Sequence, residues 1–166
     1  ELDNLFRVLS QIGESLPEIT ERFPAVSRDP KDDYLLTHAV LAGADYLVTG
    51  CWSQSAFKEA KKYLKTNLVA SSESTNFDRT PLRDCWKLST NANYFHYCHN
   101  ETVHGTEFRE VPRVDVPIIA DMSSCFLSRP IEVEKYAVIY AGAQKNVGPS
   151  GVTIVIINKE ILKKYK

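Results

Sequence analysis

Five short runs, "YLVTG" (46–50), "YFHYC" (94–98), "VPIIAD" (116–121), "AVIYAG" (137–142) and "VTIVIIN" (152–158), are almost unbroken in apolar residues and do not alternate apolar with polar. A strand with one wet face must alternate, whereas a continuous apolar run belongs in a sheet covered on both sides. Long connections such as "SSCFLSRPIEVEKY" separate the runs, enough chain to cross back over a sheet. The expected fold is therefore α/β, three-layered, with a mainly parallel sheet. At 166 residues and 43% hydrophobic composition the chain can build one such domain with a real core, but not two comfortable ones.

Helical periodicity fills the gaps between runs. Leu5, Val8, Leu9 and Ile12 recur at helical spacing, and a second short helical stretch runs from Pro17 to about Phe23. A helix is expected from about Lys31 to Leu41, stopped at Gly43, and another over "SQSAFKEAKKYL" with Ser53 as its N-cap. The polar stretch 71–93 reads as loop.

Twenty basic against twenty-one acidic residues leave a net charge of -1, with no electrostatic footprint for nucleic acid or an anionic membrane surface. No apolar run approaches the ~20 residues needed to span a bilayer. A soluble, cytoplasmic protein is expected. Four cysteines without paired spacing suggest reduced thiols and neither a disulfide framework nor a zinc ribbon. His96, Cys98, His99 and His104 crowd one segment, but strand geometry puts His96 and Cys98 on one face and His99 on the other, so no metal is expected there.

Sheets of this kind place ligands outside the carboxyl ends of their strands. Three candidates stand there. Lys145 lies in "YAGAQKNVGPSG", where a strand feeds a turn, and is either a reactive amine or an exposed turn lysine. Asp121 ends "VPIIAD"; a carboxylate at that place costs desolvation unless a cation pairs with it, or else it caps the segment 122–124. Trp52 follows the strand 46–50 and offers an aromatic face or fills the core.

The stretches "ADYLVTGCWSQSAFKEAKKY", "YFHYCHNETVHGTEF", "DMSSCFLSRPIEVEKY" and "AGAQKNVGPSGVTIVII" occur in the order and spacing of one family, and residues 44–166 resemble the phosphoserine aminotransferases of class V. The resemblance implies part of the large domain of a fold-type I aminotransferase and pyridoxal 5'-phosphate as cofactor. Lys145 would hold the cofactor aldehyde, Asp121 would pair with its pyridinium nitrogen, and Trp52 would stack on its ring. Thr102 would contact the phenolic side and Gln144 the phosphate. The implied substrates are phosphoserine and 2-oxoglutarate, in serine biosynthesis, with active sites completed across a homodimer. The family's glycine-rich phosphate turn and its small domain have no counterpart here, so impaired turnover and self-association are expected.

Residues 1–50 differ. "VSRDPKDDYLLTHAVLAGADYLVTG" resembles the C-terminal part of PIN-domain ribonucleases, whose acidic side chains bind divalent metal, which would give roles to Asp29, Asp32 or Asp33. That pattern continues Thr-Gly-Asp, whereas Cys51 follows Gly50 here, and the same aspartates serve equally as helix-capping charge. The two resemblances overlap at "AGADYLVTG", which suggests a chimera joined there. A metal-dependent ribonuclease and a catalytically inert chimera are the alternatives to amino transfer.

Overall fold

A computed structural model describes residues 43–164. The helices expected between residues 4 and 41, the PIN-like segment before residue 43 and Asp29, Asp32 and Asp33 lie outside the described residues. The elements run β1 (Ala44–Val48), α1 (Cys51–Ala60), β2 (Thr66–Ser71), β3 (Tyr94–Cys98), β4 (Asn100–Glu101), β5 (Thr106–Glu107), β6 (Ile118–Asp121), β7 (Val138–Ala143), β8 (Val152–Ile157) and α2 (Lys159–Lys164). Six strands form one sheet in the order β2-β1-β3-β6-β7-β8, and β4 and β5 pair as a small antiparallel ladder. Every pairing from β2 to β7 is parallel; β8 returns antiparallel to β7. The mainly parallel α/β expectation holds.

Only two of the unbroken apolar runs are covered on both faces as expected; β6 and β7 alternate buried with partly exposed residues, and no residue of β8 is buried. All five residues of β1 and all five of β3 are buried. On one face Tyr46, Val48 and Tyr94 pack against Phe57 and Ala60 of α1. On the other, Leu47, Phe95, Tyr97, Ala120 and Ile139 form the larger core, closed by Trp86, Phe108, Phe126 and Tyr136 from loops and 3-10 turns rather than by a described helix. At Tyr46/Leu47 the register of β1 on β2 shifts by a bulge. β2 escaped the sequence reading because "TNLVAS" opens on polar residues, as an edge strand can.

The loop covering the second face is tied by a polar chain. Arg129 donates to His99 Nε2 at 2.7 Å and to the Phe108 carbonyl at 2.7 Å, and pairs with Glu107 at 2.8 Å. Since Nε2 of His99 accepts, its proton is on Nδ1 and donates to the Tyr97 hydroxyl at 3.1 Å, which lies 3.3 Å from that of Tyr136. Burial, reinforced by the Arg129 charge and opposed by Glu107, holds His99 down at about 4.

Among the described residues no helix is long and apolar enough to cross a membrane.

Candidate active site

The chain leaves β1 for β2 on one side and later returns to β3 on the other, so the crevice between the carboxyl ends of β1 and β3 is a topological switch point. A cleft of about 90 Å³ opens there, lined by Trp52 after β1, Cys98 at the end of β3, Asn100 in β4, Asp121 at the end of β6 with Ser123 beyond it, and Gln144 and Lys145 after β7. A larger shallow groove of about 340 Å³ lies along β2, near Leu68, Thr75 and Leu82, away from the other strand ends.

Four of the five sequence-predicted residues line this cleft, and the fifth touches it through Lys145. The Lys145 amine donates to Thr102 Oγ1 at 2.7 Å and stands 5.4 Å from the centre of the Trp52 ring. Trp52 is 50% exposed, so its ring is a free face and not a core filler. Asp121 Oδ1 accepts the Ser123 amide at 2.8 Å, which leaves its other lone pairs for a further donor. Ser123 Oγ accepts the Gly142 amide at 3.0 Å, and Asn100 donates to Ser124 Oγ at 2.7 Å. Asp121 thus caps the turn and faces the cleft at once.

Behind Asp121 lies a buried polar group that the sequence reading missed. Asp121 is in register with Tyr140 on β7 and with Cys98 on β3. The Tyr140 hydroxyl lies 2.9 Å from His96 Nε2, and His96 Nδ1 is buried without a partner. An orphaned acceptor costs less than an orphaned N–H, so the His96 proton belongs on Nε2, donating to Tyr140. Burial pushes His96 down to about 4, against the opposing pull of the Asp121 charge. Burial, with Asp121 next in weight, pushes the Cys98 thiol and the Tyr140 hydroxyl well up, so all three stay neutral beside the carboxylate. The period-2 pattern placing His96 and Cys98 on one face was available in the sequence, but the strand order and register that add Asp121 and Tyr140 to it were not.

Ser53 does not cap α1 as expected. Gly50 is the N-cap, and Ser53, one turn in, turns its hydroxyl back to accept the amides of Thr49 at 2.8 Å and Gly50 at 3.1 Å. The helix's own amides at Trp52 and Ser53 are taken instead by Glu101, at 3.0 and 2.7 Å. Cys51, Glu101 and His104 bring ligand atoms within 4.8 Å of one another. The carboxylate is already committed to two amides at the positive end of a helix, a place that repels a cation.

Sheet order and switch-point cleft together match the α/β fold of the aminotransferases. The chain belongs to the class-V aminotransferases, whose family model matches residues 38–166. It is 55% identical over 122 residues to the phosphoserine aminotransferase of Janthinobacterium sp. (strain Marseille), covering 73% of this chain and 34% of that one. It is 54% identical over 121 residues to phosphoserine aminotransferase 2, chloroplastic, of Arabidopsis thaliana, covering 71% and 29%. The solved structure of phosphoserine aminotransferase with bound PLP from Trichomonas vaginalis superposes with a TM-score of 0.68 at 49% identity, over 73% of this chain and 35% of that one. The chain spans about a third of the length of the curated relatives it matches.

Proposed function

We propose that this chain carries the ring-binding part of a pyridoxal 5'-phosphate-dependent phosphoserine aminotransferase, which moves an amino group between phosphoserine and 2-oxoglutarate. The observation that supports it best is one amine, Lys145, held 2.7 Å from Thr102 and beside a half-exposed indole, with a carboxylate in the same cleft. These residues suit the cofactor's chemical groups one by one. The indole face of Trp52 fits a flat aromatic ring, Asp121 a protonated ring nitrogen, Lys145 an aldehyde, Thr102 a phenolic oxygen, and Gln144 an oxygen of the phosphate. When bound, the cofactor supplies an electron sink for the substrate carbon that gives up its proton.

The chain's own residues set the conditions for that chemistry. Lys145 has to act first as a nucleophile and then as the base that takes and returns a proton, and its flexible stem at a strand end allows both positions. Thr102 orients the amine by accepting a hydrogen bond from it. Asp121 offers its free carboxylate oxygen to a cation, and the neutral set Cys98, Tyr140 and His96 behind it adds no competing positive charge. Ser123 fixes the Asp121 turn to β7 through the Gly142 amide.

Homodimerisation and a cytoplasmic location belong to the same reading; exposed apolar side chains at Leu127, Val152 and Val155 support association. A chimeric junction within "AGADYLVTG" stays part of the proposal, although the family match already begins ahead of it, at residue 38. Metal-dependent RNA cleavage abolished by Asp29→Ala would favour the ribonuclease alternative. The central test is to mix the full chain with pyridoxal 5'-phosphate and record its visible absorbance and borohydride-trapped mass. A covalent adduct, lost in Lys145→Ala, is expected; an adduct of equal yield in that variant would refute the assignment.

A further inference from the structure

Glu101 is the most deeply buried carboxylate in the described residues, at 0% exposure, and it makes no described ion pair. Its oxygens instead take two helix amides, Oε2 that of Trp52 at 3.0 Å and Oε1 that of Ser53 at 2.7 Å. These amides are in the first turn of α1 and have no acceptor within the helix. Glu101 comes from β4, nearly fifty residues away in sequence, and its next neighbour is Thr102. The carboxylate therefore joins two parts of the cleft: the turn that carries the indole and the turn that carries the hydroxyl on Lys145. Gly50 lets it in, since a Cβ there would fall 2.4 to 2.6 Å from the Glu101 side chain.

We propose that Glu101 is a positioning residue for this site: a buried carboxylate that locks the Trp52 ring and the Thr102 hydroxyl in one frame, so that Lys145 meets both. The link to cofactor binding rests on the function proposed above; the frame itself does not. A helix N-terminus is ordinarily open to an external anion. Here that place is filled from within, so an anionic group of a ligand has to find its donors elsewhere in the cleft, at hydroxyls and amides beyond the start of α1.

The frame can be read in the full chain without any ligand. In the unmodified protein, the Trp52 and Ser53 amide protons should exchange as slowly as those of the central strand β1, at least tenfold slower than first-turn amides without an acceptor. Exchange at the unprotected rate would overturn the proposal, whatever any variant does. Glu101→Gln keeps the shape but offers one acceptor oxygen in place of two and faces an amide with its own NH2 group. In protein labelled with 5-fluorotryptophan, it should shift or broaden the Trp52 resonance while that of Trp86 stays in place, and it should raise the dissociation constant for pyridoxal 5'-phosphate about tenfold. An unmoved Trp52 resonance in the folded variant would refute the positioning role. Failure of the unmodified chain to bind pyridoxal 5'-phosphate would count against the proposed function alone, because exchange and fluorine spectra still decide the frame.

Discussion

Lowering the pH from 7 to 5 should strip this fold of a large part of its stability through two histidines. His96 and His99 are both buried, at 5% and 7% exposure, and both are held down at about 4 in the folded chain from an ordinary 6.5. The sign follows from proton counting. Between 6.5 and 4 the unfolded chain binds a proton at each imidazole and the folded chain does not, so unfolding gains ground as pH falls. Their contribution is whole above 6.5, shrinks through that window and is constant below 4. At pH 5 the gap covers about 1.5 pH units, worth about 2 kcal/mol per histidine and about 4 kcal/mol for the pair. A typical domain has only about 5–15 kcal/mol in all. The exposed pairs Asp78–Arg79 and Glu59–Lys62 lower their carboxylates from ordinary values near 4, so their losses begin below the range from pH 7 to 5. Urea unfolding followed by tryptophan fluorescence at pH 7, 6 and 5 measures the slope, and the same series on His96→Gln and His99→Gln separates the two terms. A stability flat to within about 0.5 kcal/mol from pH 7 to 5, or a slope that survives in the double variant, would refute the reasoning.

Three further outcomes are expected. Asp121→Asn keeps an oxygen for the Ser123 amide, so the fold should hold, while pyridoxal 5'-phosphate binding weakens by about 2 kcal/mol, roughly thirtyfold, in a spectral titration. Tyr140→Phe leaves His96 with neither ring nitrogen satisfied and should cost about 1–3 kcal/mol in denaturant unfolding; a loss below about 0.5 would mean that the pair is dispensable. Gly50→Ala drives a methyl into Glu101 and should cost about 1–3 kcal/mol by the same measurement, with the Trp52 amide losing its slow exchange.

The parts of this structure that were legible in the sequence are those set by local pattern. Unbroken apolar runs announced β1, β3, β6, β7 and β8, and the positions just after them held Trp52, Asp121, Gln144 and Lys145. What could not be read were relations across long sequence distances. Glu101 replaces Ser53 at the start of α1 because a distant strand, β4, and not the neighbouring residue, delivers the acceptor. His96 meets Tyr140 only because β6 alone lies between β3 and β7, so that two long side chains on one face reach each other across it. The antiparallel return of β8 has the same apolar content as its parallel neighbours, so composition cannot tell its direction. The loops over the second core face, closed by Arg129 on His99 and Glu107, had no periodicity to betray them.

The strand order also has a consequence for how the chain is made. β1 is all buried, yet one of its two neighbours, β3, is encoded nearly fifty residues later. At about 5–20 residues per second on a ribosome, β1 waits roughly 2–10 s with a bare apolar edge before that partner has even been synthesised. During that interval α1 can shelter only the Tyr46 and Val48 side, and Leu47 stays uncovered. The segment 44–48 is thus the place where a nascent copy is most open to chaperone capture or to pairing with another unfinished chain, and slower translation of residues 49–93 would lengthen that exposure.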